Sequence, residues 1–231
     1  MGKGSAFALA KEGVDLFISA RGEDRLLQTC EEIRKATNVK VVPIVADHSS
    51  DEGREKITSS CPDPDILVGT CTPPMHTPDY ESISPEDWRQ TLEVSLLSPV
   101  SFMKELIPGM VKRKRGHIIN LGSIAGLYPV SSSVYGGSKG AVHMINQNLR
   151  VELSGTGVRA TEICPGRVNT EFFDVAFSDR FSLCVIDAPS LIKLDDAELI
   201  KLSERFYNDT YLMDQNACLL YTSDAADDTP C

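Results

Sequence analysis

Apolar residues along this chain alternate between two patterns: helical spacing over ten residues or more, and short compact runs. Residues 5–12 carry Ala6, Leu9 and Ala10 on one helical face, and Gly13 ends that helix. Residues 14–20 (Val-Asp-Leu-Phe-Ile-Ser-Ala) read as a strand. Helical spacing returns over 23–37 with Leu26, Leu27, Cys30 and Ile33, and residues 39–45 form a β-branched run typical of a buried strand. A short helix over 51–59 and a strand over 65–68 follow. Ser84 is an N-cap, with Pro85 at the first helical position and Asp87 at the third. The helix it opens runs to Arg113, with bends expected near Pro99 and Pro108. A strand over 117–121, a helix over 134–153, a strand over 158–164 and an amphipathic helix over 195–207 complete the pattern.

Strand–helix alternation of this kind predicts right-handed βαβ crossovers. The expected fold class is α/β: a Rossmann-type, doubly wound parallel sheet with helices on both faces. No repeat and no Gly/Ser linker interrupts the chain, so residues 1–215 are read as one domain. Residues 216–231 are small, acidic and patternless, and are read as a disordered or non-native tail.

Composition narrows the function classes. The 231 residues carry a formal net charge of -10 and a pI near 4.9, which argues against nucleic acid or an anionic membrane as main partner. The basic run from Lys112 to Arg115 reads as a helix end complementing the dipole. Seven cysteines without regular spacing argue against a disulfide framework and for a reducing, cytoplasmic setting. The four histidines show no metal-ligand spacing, so no metal is expected. No signal peptide is visible, and no apolar run reaches membrane-spanning length.

The chemistry concentrates in Tyr135-Gly136-Gly137-Ser138-Lys139 at the start of a helix, with Ser123 just after the preceding strand. Tyr135 and Lys139 share a helix face. A phenol with an ordinary pKa of about 10 is a poor acid–base catalyst at neutral pH, and a nearby ammonium stabilises its phenolate. Helices often carry a Tyr and a Lys one turn apart for no chemical reason, so the pair alone is weak. Its context is stronger: a strand ending in Asn120-Leu121-Gly122-Ser123, this helix, then a strand ending in Pro165-Gly166.

Those three segments, with the strand at 65–68, the Trp88 helix and residues 106–110, resemble successive motifs of the short-chain dehydrogenase/reductase family over roughly residues 2–177. Residues 134–177 look most like NADP-dependent 3-hydroxy acid dehydrogenases; residues 47–74 look more like 3-oxoacyl reductases. The resemblance implies interconversion of a carbonyl and a secondary alcohol by hydride transfer. Tyr135 would be general acid/base, Lys139 would lower its pKa and hold the nicotinamide ribose, and Ser123 would position the substrate oxygen. Ala20 and Arg21 close the strand where NAD-dependent relatives carry a carboxylate, and a guanidinium suits a 2′-phosphate, so NADP is favoured over NAD. A solvated loop arginine is the plainer reading of Arg21, and a turn-forming aspartate that of Asp47, which the resemblance assigns to the adenine. Gly2, Pro165, Gly166, Val168 and Thr170 complete the implied cofactor contacts. A small-molecule carbonyl or alcohol substrate is implied, and a homodimer or homotetramer formed through the helices over 84–113 and 134–153.

The chain departs from the family in several places. Gly2 matches the last glycine of T-G-x-x-x-G-x-G, so the first strand and first two glycines are expected to be missing, as is the final strand. Gly69-Thr70-Cys71-Thr72 replaces N-N-A-G, Ser95 stands where the family carries Asn, and the Ser123–Tyr135 spacing is one residue short. These departures favour the alternative, an inactive fragment or non-catalytic binding protein that keeps the fold.

Overall fold

The computed structural model describes residues 2–70, 80–129 and 133–166 with their side chains, and the strand at 219–221 by its backbone. Helix α1 (Gly2–Lys11) leads through Gly13, whose φ of 83° is a left-handed turn that suits glycine. Strand β1 (Leu16–Ala20), α2 (Glu23–Ala36), β2 (Val41–Val45), α3 (Asp51–Ser60) and β3 (Ile66–Gly69) follow in the expected order. Then come α4 (Pro85–Leu92), a π turn (Glu93–Leu97), α5 (Ser98–Arg113), β4 (Gly116–Leu121), a 3₁₀ turn (Ile124–Gly126), α6 (Ser133–Glu152) and β5 (Val158–Cys164).

β1 pairs with β2, and β3, β4 and β5 pair in that order, all parallel. The two sheets are not hydrogen-bonded to each other among the described residues. Two hydrophobic clusters hold the layers. Ala6, Ala10, Leu26, Cys30 and Ile33 seat α1 and α2 against Leu16 and Val41. Met103 and Met110 of α5 pack with Ile118, Val158 and Ala160 of the second sheet. Each sheet thus has its own helix-packed core.

Three local expectations change. The bend expected near Pro99 is the π turn just before it. Pro99 sits in the first turn of α5, directly after that π turn, and Pro108 lies inside α5. The run Pro85–Arg113 is 29 residues long and apolar enough to match a membrane-crossing helix by length and composition, contrary to the expectation that none approached it. Its Val94, Met103, Leu106 and Met110 are buried in this domain. Lastly, Leu219–Tyr221 forms β6, antiparallel to β5, inside the stretch read as a patternless tail. The Leu-Leu-Tyr triplet is the apolar signal that the surrounding acidic residues masked. The helix read at 195–207 lies outside the described residues.

The N-cap at Ser84 forms as expected: its Oγ accepts the Asp87 N–H at 3.1 Å and donates to Asp87 Oδ2 at 2.7 Å. The basic run ends α5 and turns at Lys114, with φ 53°. Arg113 pairs with Asp63, and Arg115 makes two 3.0 Å bonds to Asp65.

Candidate active site

In a parallel sheet the carboxyl ends of the strands face one edge, where ligands bind. Ser123 sits just past β4. Its backbone is extended, and its Oγ caps the 3₁₀ turn by accepting the Ala125 N–H at 3.1 Å. Tyr135 lies in the first turn of α6, with the Ser123 side chain close to its hydroxyl. Burial pushes the Tyr135 phenol above its ordinary value, and the Ser123 hydroxyl opposes that rise. Lys139, one turn further on, is 2% exposed and donates from Nζ to the Leu121 carbonyl at 2.8 Å. Its ammonium stands 5.9 Å from the centre of the Tyr135 ring. The structure thus brings the three predicted residues together, from the end of β4 and one face of α6.

Close packing fixes this arrangement. A Cβ on Gly126 would stand 2.6 Å from the Lys139 carbonyl carbon and 2.9 Å from the Gly140 nitrogen. The 3₁₀ turn after Ser123 therefore lies on the α6 backbone at the point where Lys139 emerges. Gly122 is similarly pressed against Glu162 and Cys164 of β5.

Several further groups support the site. Asn120, on β4, donates from Nδ2 to Asn146 Oδ1 at 3.1 Å and to Met103 Sδ at 3.4 Å. Asn146 lies seven residues beyond Lys139, so the helical repeat marks its face but not its partner. His143 on that same face pairs through Nδ1 with Glu162 Oε2 at 2.7 Å. The neighbouring Cys164 thiol is pushed up to about 12, by burial first and then by the Glu162 carboxylate. Ser95, in the π turn packed against α6, is 1% exposed, and its Oγ has no hydrogen-bond partner.

The predicted cofactor residues fall along the same strand ends. Arg21 follows β1 and Asp47 follows β2, with Arg21 Nη1 3.9 Å from Asp47 Oδ2. Asp47 is held below its ordinary value, chiefly by hydrogen bonds from the Ser49 hydroxyl at 2.6 Å and the Ser49 N–H at 2.9 Å. Gly2 begins α1 against the residue after β3: a Cβ there would be 2.9 Å from Thr70 Oγ1. Pro165 and Gly166 directly follow β5, and the Pro165 carbonyl accepts the Ile124 N–H at 3.2 Å. Val168 and Thr170, with the aromatic residues after them, lie outside the described residues. Tyr128, just past the 3₁₀ turn that follows Ser123, is 41% exposed.

A family model described as short chain dehydrogenase matches residues 1–180. The chain belongs to the short-chain dehydrogenase/reductase family. Among its relatives, an NADP-dependent 3-hydroxy acid dehydrogenase of Shigella flexneri is 31% identical over 169 residues, covering 72% of this chain and 68% of that protein. The enzyme of that name from Salmonella typhi is 39% identical over 129 residues, or 53% of this chain and 52% of its own. Among solved structures, the closed form of a serine dehydrogenase complexed with NADP+ superposes with a TM-score of 0.68 at 31% identity, covering 77% of this chain and 73% of that one. L-Sorbose reductase from Gluconobacter frateurii, complexed with NADPH and L-sorbose, gives 0.65 at 28% identity, covering 70% of this chain and 63% of the reductase. The chain therefore spans between half and three quarters of the length of these relatives.

Proposed function

We propose that this short-chain dehydrogenase/reductase interconverts a carbonyl and a secondary alcohol using NADP(H), with Tyr135 as general acid/base. The observation that carries this reading is the convergence of Ser123 and Tyr135 beside a buried Lys139. Ser123 can hold the substrate oxygen against the Tyr135 hydroxyl, which gives it a proton in reduction and takes one in oxidation. Lys139 keeps a positive charge near the phenol, because the Leu121 carbonyl fixes its ammonium in place. When bound, NADP(H) supplies or accepts the hydride at the substrate carbon.

The residues present fit such a dinucleotide. The exposed Arg21 guanidinium at the end of β1 has no carboxylate ahead of it in the strand and suits a 2′-phosphate. Asp47 would meet the adenine. The amino end of α1 at Gly2, closed against Thr70, offers backbone donors to the pyrophosphate. Lys139 would also reach the nicotinamide ribose, and Pro165, Gly166, Val168 and Thr170 would line the carboxamide and phosphate side. Exposed Met144 and Val151 on α6, with Leu97 ahead of α5, fit assembly of copies through these helices.

The test is NADPH oxidation, followed by absorbance, on a panel of 3-oxo acids, aldehydes and ketoses. The chain is expected to turn over at least one class. Tyr135→Phe is expected to lower kcat by about 10²–10⁴ while leaving NADPH affinity unchanged. Equal turnover by Tyr135→Phe would refute the assignment. Tight NADPH binding without turnover on any class would favour the binding-protein alternative, for which Ser95 and residues 69–72 speak.

A further inference from the structure

Against Gly122, at the end of β4, three side chains of different ligand chemistry meet. Glu162 and Cys164 are two apart on β5 and so point to the same face. His143 comes down onto that face from α6, one turn beyond Lys139. The His143, Glu162 and Cys164 donor atoms all lie within 4.8 Å of one another. Glu162 is 4% exposed and Cys164 1% exposed. Glu162 Oε2 is engaged by His143 at 2.7 Å, while its Oε1, packed on the Gly122 backbone beside the Cys164 sulfur, makes no hydrogen bond of proper geometry. A buried carboxylate oxygen left without such a bond is costly, and a cation would satisfy it.

We propose that His143 Nδ1, a Glu162 carboxylate oxygen and Cys164 Sγ form a tripod for a divalent transition-metal ion, with zinc the ion their chemistry favours. Imidazole, thiolate and carboxylate are zinc's three protein donors. Magnesium and calcium select all-oxygen sites and would reject the sulfur. At zinc–ligand lengths of about 2.0–2.3 Å, tetrahedral donors stand roughly 3.4 Å apart. The His143–Glu162 pair must open by under an ångström to reach that spacing, and the Cys164 side of the triangle must close. Binding displaces the thiol proton to solvent and leaves His143 as the neutral ring protonated on Nε2. The two anionic donors then neutralise the dication, leaving a site with no net charge near the Lys139 ammonium. The ion would stand against Gly122 and stiffen the end of β4. It is a site apart from the Tyr135 chemistry, and it does not depend on the proposed reaction.

The test uses the full chain, reduced and stripped with a chelator, then titrated with Co²⁺ and Zn²⁺. One equivalent of Zn²⁺ is expected to survive gel filtration. Co²⁺ is expected to give a thiolate-to-cobalt absorption band together with tetrahedral d–d bands, and Zn²⁺ is expected to abolish both. Cys164→Ser is expected to lose the thiolate band, and His143→Gln to lose the retained Zn²⁺, with far-UV circular dichroism unchanged. If Cys164→Ser does not fold, His143→Gln on the half-exposed helix face still reads the site. Absence of retained metal in the unmutated chain would leave a His143–Glu162 hydrogen bond only and overturn the proposal. Survival of the band in Cys164→Ser, pointing to one of the other cysteines, would overturn it as well.

Discussion

Gly126→Ala is the sharpest probe of how the site is held. The added Cβ would lie 2.6 Å from the Lys139 carbonyl carbon, 2.8 Å from its oxygen and 2.9 Å from the Gly140 nitrogen. Ordinary contact begins at 3.4 Å, so the shortfall approaches an ångström. All three atoms belong to the backbone of a 20-residue helix, which cannot swing aside like a side chain. The 3₁₀ turn must lift instead, and Ser123, whose Oγ caps that turn, moves with it. Overpacking of this kind costs about 1–3 kcal/mol of stability. A displacement of about 1 Å at a positioned reacting group costs about 10²-fold in rate. Urea denaturation reads the first effect, and kcat/KM with NADPH and the best carbonyl of the panel reads the second. Both are expected to fall, with the Ser123–Tyr135 contact weakened. Unmutated values for both would show that the turn and helix are not in the register described. A stability loss with an unchanged rate would remove Gly126 from any positioning role.

Three further outcomes follow from single contacts. Arg21→Ala is expected to reduce the preference for NADPH over NADH, read as the ratio of their kcat/KM values; an unchanged ratio would return Arg21 to a plain surface arginine. His48 is hydrogen-bonded to Ser98 at 2.8 Å, and burial holds it below its ordinary value of 6.5. Its contribution to stability is therefore present above pH 6.5 and lost as pH falls, so His48→Gln should flatten the decline in urea midpoint between neutral and acid pH; parallel curves would reject this. Asn146→Ala leaves the buried Asn120 amide without its 3.1 Å acceptor and should cost about 1–3 kcal/mol of unfolding free energy, and an unchanged urea midpoint would remove the pair from the supports of the site.

The legible parts of this chain are those whose cause is local. Helix and strand order from α1 to β5 follows from apolar spacing, and the cap at Ser84 and the stop at Gly13 from the residues themselves. The tyrosine and lysine announce a shared face by being four apart, and the strand before them puts Ser123 in reach. What spacing cannot carry is contact between distant segments. Glu162 and Cys164 read as unremarkable members of an alternating strand, and His143 as one polar residue on a long helix. Only the crossing of α6 over β5 makes them neighbours. The π turn was equally invisible, since nothing in Glu-Val-Ser-Leu-Leu distinguishes a widened turn from an α-helical one. β6 was missed because three residues are too short a run to show a period.

The direction of the Tyr135 shift bears on how such a site can work at all. Burial raises the phenol, the Ser123 hydroxyl only opposes that rise, and Lys139 is 5.9 Å from the ring centre with a main-chain carbonyl as its partner. The protonated phenol is thus the resting form at neutral pH, ready to donate in the reductive direction. Oxidation needs the phenolate, and the protein alone opposes it. A positive nicotinamide in the site would tip that balance, so the cofactor's oxidation state would select the protonation state that its own reaction requires. Reduction by NADPH is then expected to hold level through neutral pH and fall only in alkali. Oxidation with NADP+ should rise with pH along the phenol's titration in that complex. Measured pH profiles of kcat in the two directions test this. Matching profiles, or an oxidative rate independent of pH, would mean that Tyr135 does not handle the proton.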